Sequence, residues 1–428
     1  MPRLLATALR PAALALLLLA CTPAEPPAGV TEASASKGAS GSPPAPPVEP
    51  PPRGLWVLAE GSQRVLEHPE HLEPLLDDAL ALGVTDLFVQ VYRGGRAWFA
   101  SSLAGAEPYA AARRAYGGRD PLRTLVAAAH ARGLRVHAWV NVLSLAAHPD
   151  ARIVQDLGPS AVLVDQKGRS ILDYPDFELP APDREWYRMG TPAVWLDPAA
   201  PGVAERLVAT FAELLQLHPE LDGLHLDYVR YADVLPFTPG TRFGVGLSFG
   251  FGEASRARFR AETGRVAPFG DSLAHGDRFD AWRREKLGEL VAGIARSTRA
   301  ERPGLRVSAA VIADRERAYL VDFQDWAGWL DAGWLDFAVP MLYTRDTQLV
   351  RHGVEALAGL ARRRELWVGL GSWLFAGEPA EAARQLALVD AEPSLGSALF
   401  SWDSIRETPA LRAGLVEAEA RRGPLGSP

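Results

Sequence analysis

From Arg53 onward, short runs nearly continuous in apolar residues alternate with longer stretches in which apolar residues recur every three or four positions. The short runs have the length and composition of strands covered on both faces, and the longer stretches have the period of helices with one buried face. Eight strand segments are predicted: Gly54 to Gly61, Asp86 to Tyr92, Arg135 to Leu143, Leu221 to Tyr231, Arg306 to Asp314, Leu335 to Thr344, Leu366 to Trp373, and Ser397 to Ser404. Helix signals lie between them. "PEHLEPLLDDALALG" stops at Gly83, and "DPLRTLVAAAHARG" opens on Asp120 as N-cap, has Pro121 at its first position and stops at Gly133. Strand-then-helix units repeated eight times predict an α/β fold, a (β/α)8 TIM barrel with long insertions after strands 3 and 4. A doubly wound open sheet competes with it, but no glycine-rich phosphate turn follows the first strand.

The insertions run from Ser144 to Leu196 and from Ala232 to about Ser272, and both leave the C-terminal end of a strand, where barrels build their sites. Trp186, Tyr187, Trp195, Phe237, Phe243, Phe249 and Phe251 are expected to wall a groove there, with a packed surface excursion as the alternative. Ahead of the barrel, Arg3 and Arg10 precede an apolar run too short to cross a bilayer, as in a secretory signal peptide. Leu18, Leu19 and Ala20 before Cys21 resemble a bacterial lipobox, which implies cleavage before Cys21 and lipidation of its thiol. Thr22 rather than Asp next to it implies, by the same resemblance, the outer membrane. Residues 22–52 are Pro, Ala, Ser, Gly and Glu with almost no large apolar side chain, so they predict an extended tether. The expected organisation is a signal peptide over 1–21, this tether over 22–52 and one folded domain over 53–428.

A formal charge of −7 with no long Lys/Arg run argues against nucleic acid as a partner. Cys21 is the sole cysteine, so an exported chain would carry no disulfide. No His-x-His at a strand end suggests a metal site, and no cofactor motif is present.

Alternation places Gly223, His225 and Asp227 on one face of the fourth strand and Leu224 and Leu226 on the other. The leucines suit the helical layer. His225 then points into the barrel as a core histidine, and Asp227 reaches the mouth, with Arg230 and Tyr231 just beyond as candidate partners. Trp139 and Asn141 share the inward face of the third strand with His137. Glycoside hydrolysis needs a protonated carboxyl group and an ionised one about 5 to 9.5 Å apart. Asp227 and Asp314 are the catalytic candidates, Asp314 as the acid, with Glu60, Asp346 and Asp403 as further mouth carboxylates. Tyr92, Trp98, Tyr343, Trp373 and Trp402 fall at or just after strand ends, where aromatic faces suit sugar rings. Core packing is the alternative for each. The candidate substrate-binding set is Tyr92, Asn141, Arg230, Tyr231, Tyr343, Asp346, Trp373, Trp402 and Asp403.

"RGLWV" in the first strand, "HAWVN" in the third, "WLDPAAPGV" leading into a helix, "LDGLHLDYVRY" in the fourth and "LDFAVPMLYT" in the sixth resemble the glycosyl hydrolase-like 10 family of exported bacterial proteins. The similarity runs from about Arg53 to Trp402. It implies a TIM-barrel glycosidase acting on a polysaccharide, with peptidoglycan glycan strands lacking stem peptides as the substrate of some relatives. The family's fourth-strand aspartate falls on Asp227, its third-strand asparagine on Asn141 and its arginine on Arg230. Two departures stand out: Tyr228 replaces a second acid found in many relatives, and the fifth strand ends differently. A membrane-anchored barrel that binds glycan without cleaving it is the competing function.

Overall fold

The computed structural model describes residues 51–236 and 247–422. The signal segment with Cys21, the tether up to residue 50, and Phe237 and Phe243 lie outside them.

Each predicted apolar run overlaps one strand: β1 Arg53–Val57, β2 Asp86–Arg93, β3 Arg135–Asn141, β4 Gly223–Asp227, β5 Arg306–Ile312, β6 Phe337–Met341, β7 Glu365–Gly371 and β8 Gly396–Phe400. Neighbours in sequence pair in parallel, and β1 pairs with both β2 and β8, so the sheet closes and leaves no free edge. The helices outside it are α1 Leu72–Ala81, α2 Pro121–His130, α3 Val203–Leu217, α4 Gly276–Glu301, α5 Trp326–Asp331, α6 Thr347–Ala361, α7 Pro379–Asp390 and α8 Pro409–Arg421. The start of α2 follows its sequence signals: the Asp120 side chain accepts from Arg123 N and Pro121 opens the helix.

Several apolar runs are longer than their strands. Beyond β4, Val229 and Tyr231 stay buried although the ladder has ended, because the insertions cover them. The apolar pattern therefore reports burial, and the strand is only part of what is buried.

The barrel has two separate apolar layers. Leu224 and Leu226 belong to the large core between sheet and helices, whereas Trp56, Phe88, Trp139, Ala310, Phe337, Val339, Trp367 and Ala398 fill the interior. His225 sits among them, stacked on Phe88 with ring centroids 4.1 Å apart. Its Nε2 lies 3.1 Å from the Trp56 indole N–H and its Nδ1 lies 2.8 Å from Ser308 Oγ. Since an indole only donates, Nε2 accepts and the ring is neutral with its proton on Nδ1. Burial pushes its pKa well down in agreement, so it is a satisfied core histidine.

Below it, at the closed end, Asp86 accepts from Arg135 through two bonds of 2.7 Å and lies 2.9 Å from His137 Nε2. Burial alone would raise the pKa of Asp86, but these hydrogen bonds win and hold it below the usual carboxylate range. A Cβ at Gly223 would lie 2.0 Å from His137 Nδ1, which is why glycine opens β4.

The two insertions are tied to each other by an antiparallel pair, Tyr187–Met189 with Val234–Pro236. Ser255 Oγ also donates to Asp197 Oδ2 across them at 2.7 Å. Trp195 and Phe249 are fully buried, and Phe251 joins Phe259, Phe279 and Trp282 in a small second core. Trp195 and Phe249 pack the insertions together, whereas Phe251 also lines a cavity with Gln166, Val234 and Phe269. Trp186 is 66% exposed and Tyr187 is half-buried.

Candidate active site

Asp227 is the last residue of β4, paired across the sheet with Asn141, the last of β3. Two donors hold its carboxylate. The Trp139 indole N–H reaches Oδ2 at 3.1 Å, and the backbone N–H of Tyr228 reaches Oδ1 at 2.7 Å. The second bond needs the chain to turn at once, and Tyr228 adopts φ +51° to do so. A bulky L-residue in that region costs on the order of 1–2 kcal/mol, so the turn is held by its surroundings. Burial pushes the pKa of Asp227 up to about 6, against the lowering effects of the Tyr228 N–H, Arg230, Trp139 and Arg93. A carboxyl group poised near neutrality at a barrel mouth can hold or give a proton at working pH.

An aromatic wall stands over this carboxyl group. Trp139 lies 6.1 Å from Phe400, which lies 5.8 Å from Tyr343 and 5.5 Å from Trp373, and Tyr343 meets Trp373 edge-on at 4.8 Å. Trp373 is 43% exposed. Burial pushes the Tyr343 hydroxyl well above its ordinary pKa, and Asp227 and Tyr228 add to the shift. Asn141 is buried beside Asp227, with its Oδ1 accepting from Gln90 Nε2 at 3.2 Å.

The rim carries a cationic clamp. A short hairpin folds Arg96–Ala97 back on β2 through Gly94 and Gly95, both at positive φ, and pairs Arg93 with Arg96. Glu60 receives the Arg93 Nε–H at 2.7 Å and an N–H of Arg96. Burial opposes ionisation of Glu60, but the two guanidiniums win and lower its pKa. Arg93 also acts on Asp227, which links the rim to the carboxyl group beneath it.

Asp227, Asn141, Tyr343 and Trp373 thus come together, while the other candidates are placed elsewhere. Arg230 makes no hydrogen bond to Asp227. It donates to Asp233 at 2.8 Å and Thr191 Oγ1 at 3.3 Å, reaches Asp322 at 3.5 Å, and lies 4.9 Å from the Trp195 ring centroid. It therefore clamps the loop after β4 to both insertions. Tyr231 is buried against Phe323. Tyr92 points outward, edge-on to Phe211 of α3, because the register of β2 shifts between Gln90 and Tyr92. Trp402 is fully buried in the outer core and donates to Asp78 of α1 at 3.0 Å. Trp98 is buried as well, with its N–H on Glu67. None of these aromatics offers a face to the mouth.

The acids differ in the same way. Asp314, expected as the proton donor, is the N-cap of the helix Arg315–Leu320 and accepts from Arg317 N at 3.1 Å. Asp346 caps α6 through Gln348 N and Leu349 N. Asp403 is buried and accepts from Gln63 N at 2.9 Å, and burial raises its pKa. A strand-end acid followed at once by a helix is as much a capping signal as a catalytic one. Trp139, Tyr228, Phe400 and Arg93 were not singled out as site residues. Trp139 had a usable signal, its position two residues before Asn141 on the same inward face.

The sequence pattern of the glycosyl hydrolase-like 10 family matches residues 51–359, from β1 through nearly all of α6. The chain belongs to that family. Consistent with this membership, it is 25% identical over 445 residues to glycosyl hydrolase DigH of Escherichia coli strain K12, with 92% of each chain covered. Among solved structures it resembles a cold-adapted β-galactosidase from Rahnella sp. R3 (TM-score 0.55, 14% identity, 88% of this chain and 57% of that one). It also resembles a β-galactosidase from Halorubrum lacusprofundi (TM-score 0.57, 11% identity, 88% and 58%). The chain spans less than three fifths of the length of those galactosidases, and at such identity the likeness establishes the barrel alone.

Proposed function

We propose that this protein is a glycoside hydrolase acting on a polysaccharide of the cell envelope, with peptidoglycan glycan strands as substrate. The observation that carries this reading is Asp227: a buried carboxyl group with its pKa raised to about 6, at the mouth end of a barrel strand under a partly open aromatic wall. In its protonated form Asp227 gives its proton to the glycosidic oxygen as the bond to C1 breaks. Trp373 and Tyr343 carry the sugar faces, and Asn141 bonds a sugar hydroxyl. Family membership supports the reaction class. The signal-like N-terminus and its Cys21 support an exported protein held by lipid on the outer membrane, where envelope glycan is within reach.

The test is release of reducing ends from purified glycan strands stripped of stem peptides. Turnover by the wild type, lost in Asp227→Asn with the fold intact, is the expected result. Tight binding without turnover across a broad glycan panel would instead make the barrel a glycan receptor.

A further inference from the structure

The register shift in β2 decides where its last side chains point. Phe88 and Gln90 face inward, Phe88 in the barrel interior and Gln90 on Asn141, whereas Val91 and Tyr92 both lie in the outer core. Strict alternation from Gln90 would turn Tyr92 to the mouth and Arg93 to the helices. The irregularity between Gln90 and Tyr92 reverses this and sends Arg93 inward. Arg93 follows the Tyr92–Val140 pair by one residue, as Asn141 does on β3, and Asn141 pairs with Asp227 on β4. Three neighbouring strands thus end in the row Arg93, Asn141, Asp227. With strands about 4.8 Å apart, the backbones of Arg93 and Asp227 stand about 10 Å from each other, a gap that a sugar ring and one substituent cover.

Arg93 is held at one end and free at the other. Glu60 takes its Nε–H at 2.7 Å and an N–H of Arg96. The Arg96 guanidinium also lies 5.7 Å from the Trp98 ring, whose indole N–H is fixed on Glu67 at 2.9 Å. Among the described residues nothing bonds the two terminal nitrogens of Arg93, and they reach solvent: the side chain is 34% exposed and neither nitrogen is buried. Two guanidiniums against one carboxylate leave this rim with a net positive charge. An arginine anchored through Nε presents its two terminal nitrogens as a fork that fits a carboxylate. The charge of Arg93 acts on Asp227 and on Tyr228 alike, as its place in the row requires.

We propose that Arg93 is a specificity-determining residue: it takes a carboxylate carried by the sugar seated at Asp227, so the substrate is an acidic glycan. The inference rests on the glycosidase reading above for the sugar. The carboxylate accepts from both free nitrogens of Arg93, and Glu60 keeps the guanidinium from turning away. Asn141, between Arg93 and Asp227 in the row, is left for a hydroxyl of the same ring. In a strand that alternates acidic and neutral sugars, this contact selects which sugar stands over Asp227, because a neutral one leaves the rim cation without a partner.

The probes are glycan strands stripped of stem peptides, whose alternate sugars carry a free carboxylate, and the same strands with that carboxylate converted to its methylamide. With the full chain at pH 5, kcat/KM is expected to be about tenfold to a hundredfold higher on the free acid, as for hydrogen bonds to a charged group. High salt should shrink this preference. Arg93→Gln should bring the two rates close together, and Arg93→Lys should restore part of the difference. Equal rates in the wild type would overturn the proposal and leave the glycosidase reading standing. So would an equal loss on both strands in Arg93→Gln, which would make Arg93 a support for Glu60 alone. Binding of the two strands to Asp227→Asn, with and without Arg93→Gln, needs no turnover and separates the two claims. If no strand is cut but the free acid binds more tightly and Arg93→Gln abolishes the difference, the hydrolase reading falls and the carboxylate site stands. Equal binding of both strands would sink the site.

Discussion

Asp227 shows how burial converts an ordinary side chain into an acid. Its pKa of about 6 in the folded protein lies above the ordinary carboxylate value, so the native state binds more protons than the unfolded chain between about pH 4 and 6. The contribution to stability is full below the unfolded pKa and is lost as pH rises through 6. Asp227→Asn, which cannot ionise, should therefore be more stable than the wild type above pH 6, by up to about 3 kcal/mol, and the gap should vanish near pH 4. Urea denaturation of both proteins at pH 4 and pH 8 checks this. The mouth aromatics separate in the same residue-by-residue way. Trp373→Ala should raise KM and leave stability within about 0.5 kcal/mol. Trp402→Ala should cost about 3–5 kcal/mol and leave KM unchanged, because Trp402 fills the outer core. Both tryptophans follow a strand end in the sequence, and only the direction of the chain after each strand sets them apart. That direction depends on tertiary packing, which no local pattern encodes.

At the scale of elements, the segment after β4 carries most of the site's support. Arg230 joins Asp233 and Asp322 to Trp195 and Thr191, so one side chain ties a strand end to both insertions. Removing it leaves Asp233 and Asp322 with Arg317 as their remaining cation, and Arg230→Ala should destabilise the protein by about 1.5–3 kcal/mol, the cost of lost hydrogen bonds to charged groups. Arg230 also lowers the pKa of Asp227, so the same variant should move the alkaline limb of activity to higher pH. A urea titration and a pH–rate profile of this variant check the two effects. The charges in "LDGLHLDYVRY" were legible as a concentration of unusual residues in a buried strand, and alternation correctly sent His225 and Asp227 inward. Their partners were not legible. Asp322 and Thr191 lie far from Arg230 in sequence, and nothing in the local pattern announces such contacts.

For the whole molecule, eight apolar runs separated by helical periodicity were sufficient to read the closed barrel, because each run must be covered on both faces. The boundaries read less well, since burial by the insertions extends the apolar pattern past the last ladder bond. The insertion aromatics serve a further purpose: long mouth loops need a core of their own, and Phe251 with Phe259, Phe279 and Trp282 supplies it while Phe251 also lines a cavity. The N-terminal reading makes a separate prediction. Cys21→Ser should release the protein from membranes into the soluble fraction on fractionation of cells, whatever its effect on catalysis. The most direct test of the proposed chemistry is kcat/KM for glycan cleavage as a function of pH, measured for the wild type and Asp227→Asn. Proton donation by Asp227 predicts a wild-type alkaline limb with a midpoint near 6, and a loss of about 10²–10⁴-fold in the variant. A variant that retains wild-type activity, with the same limb, would contradict it.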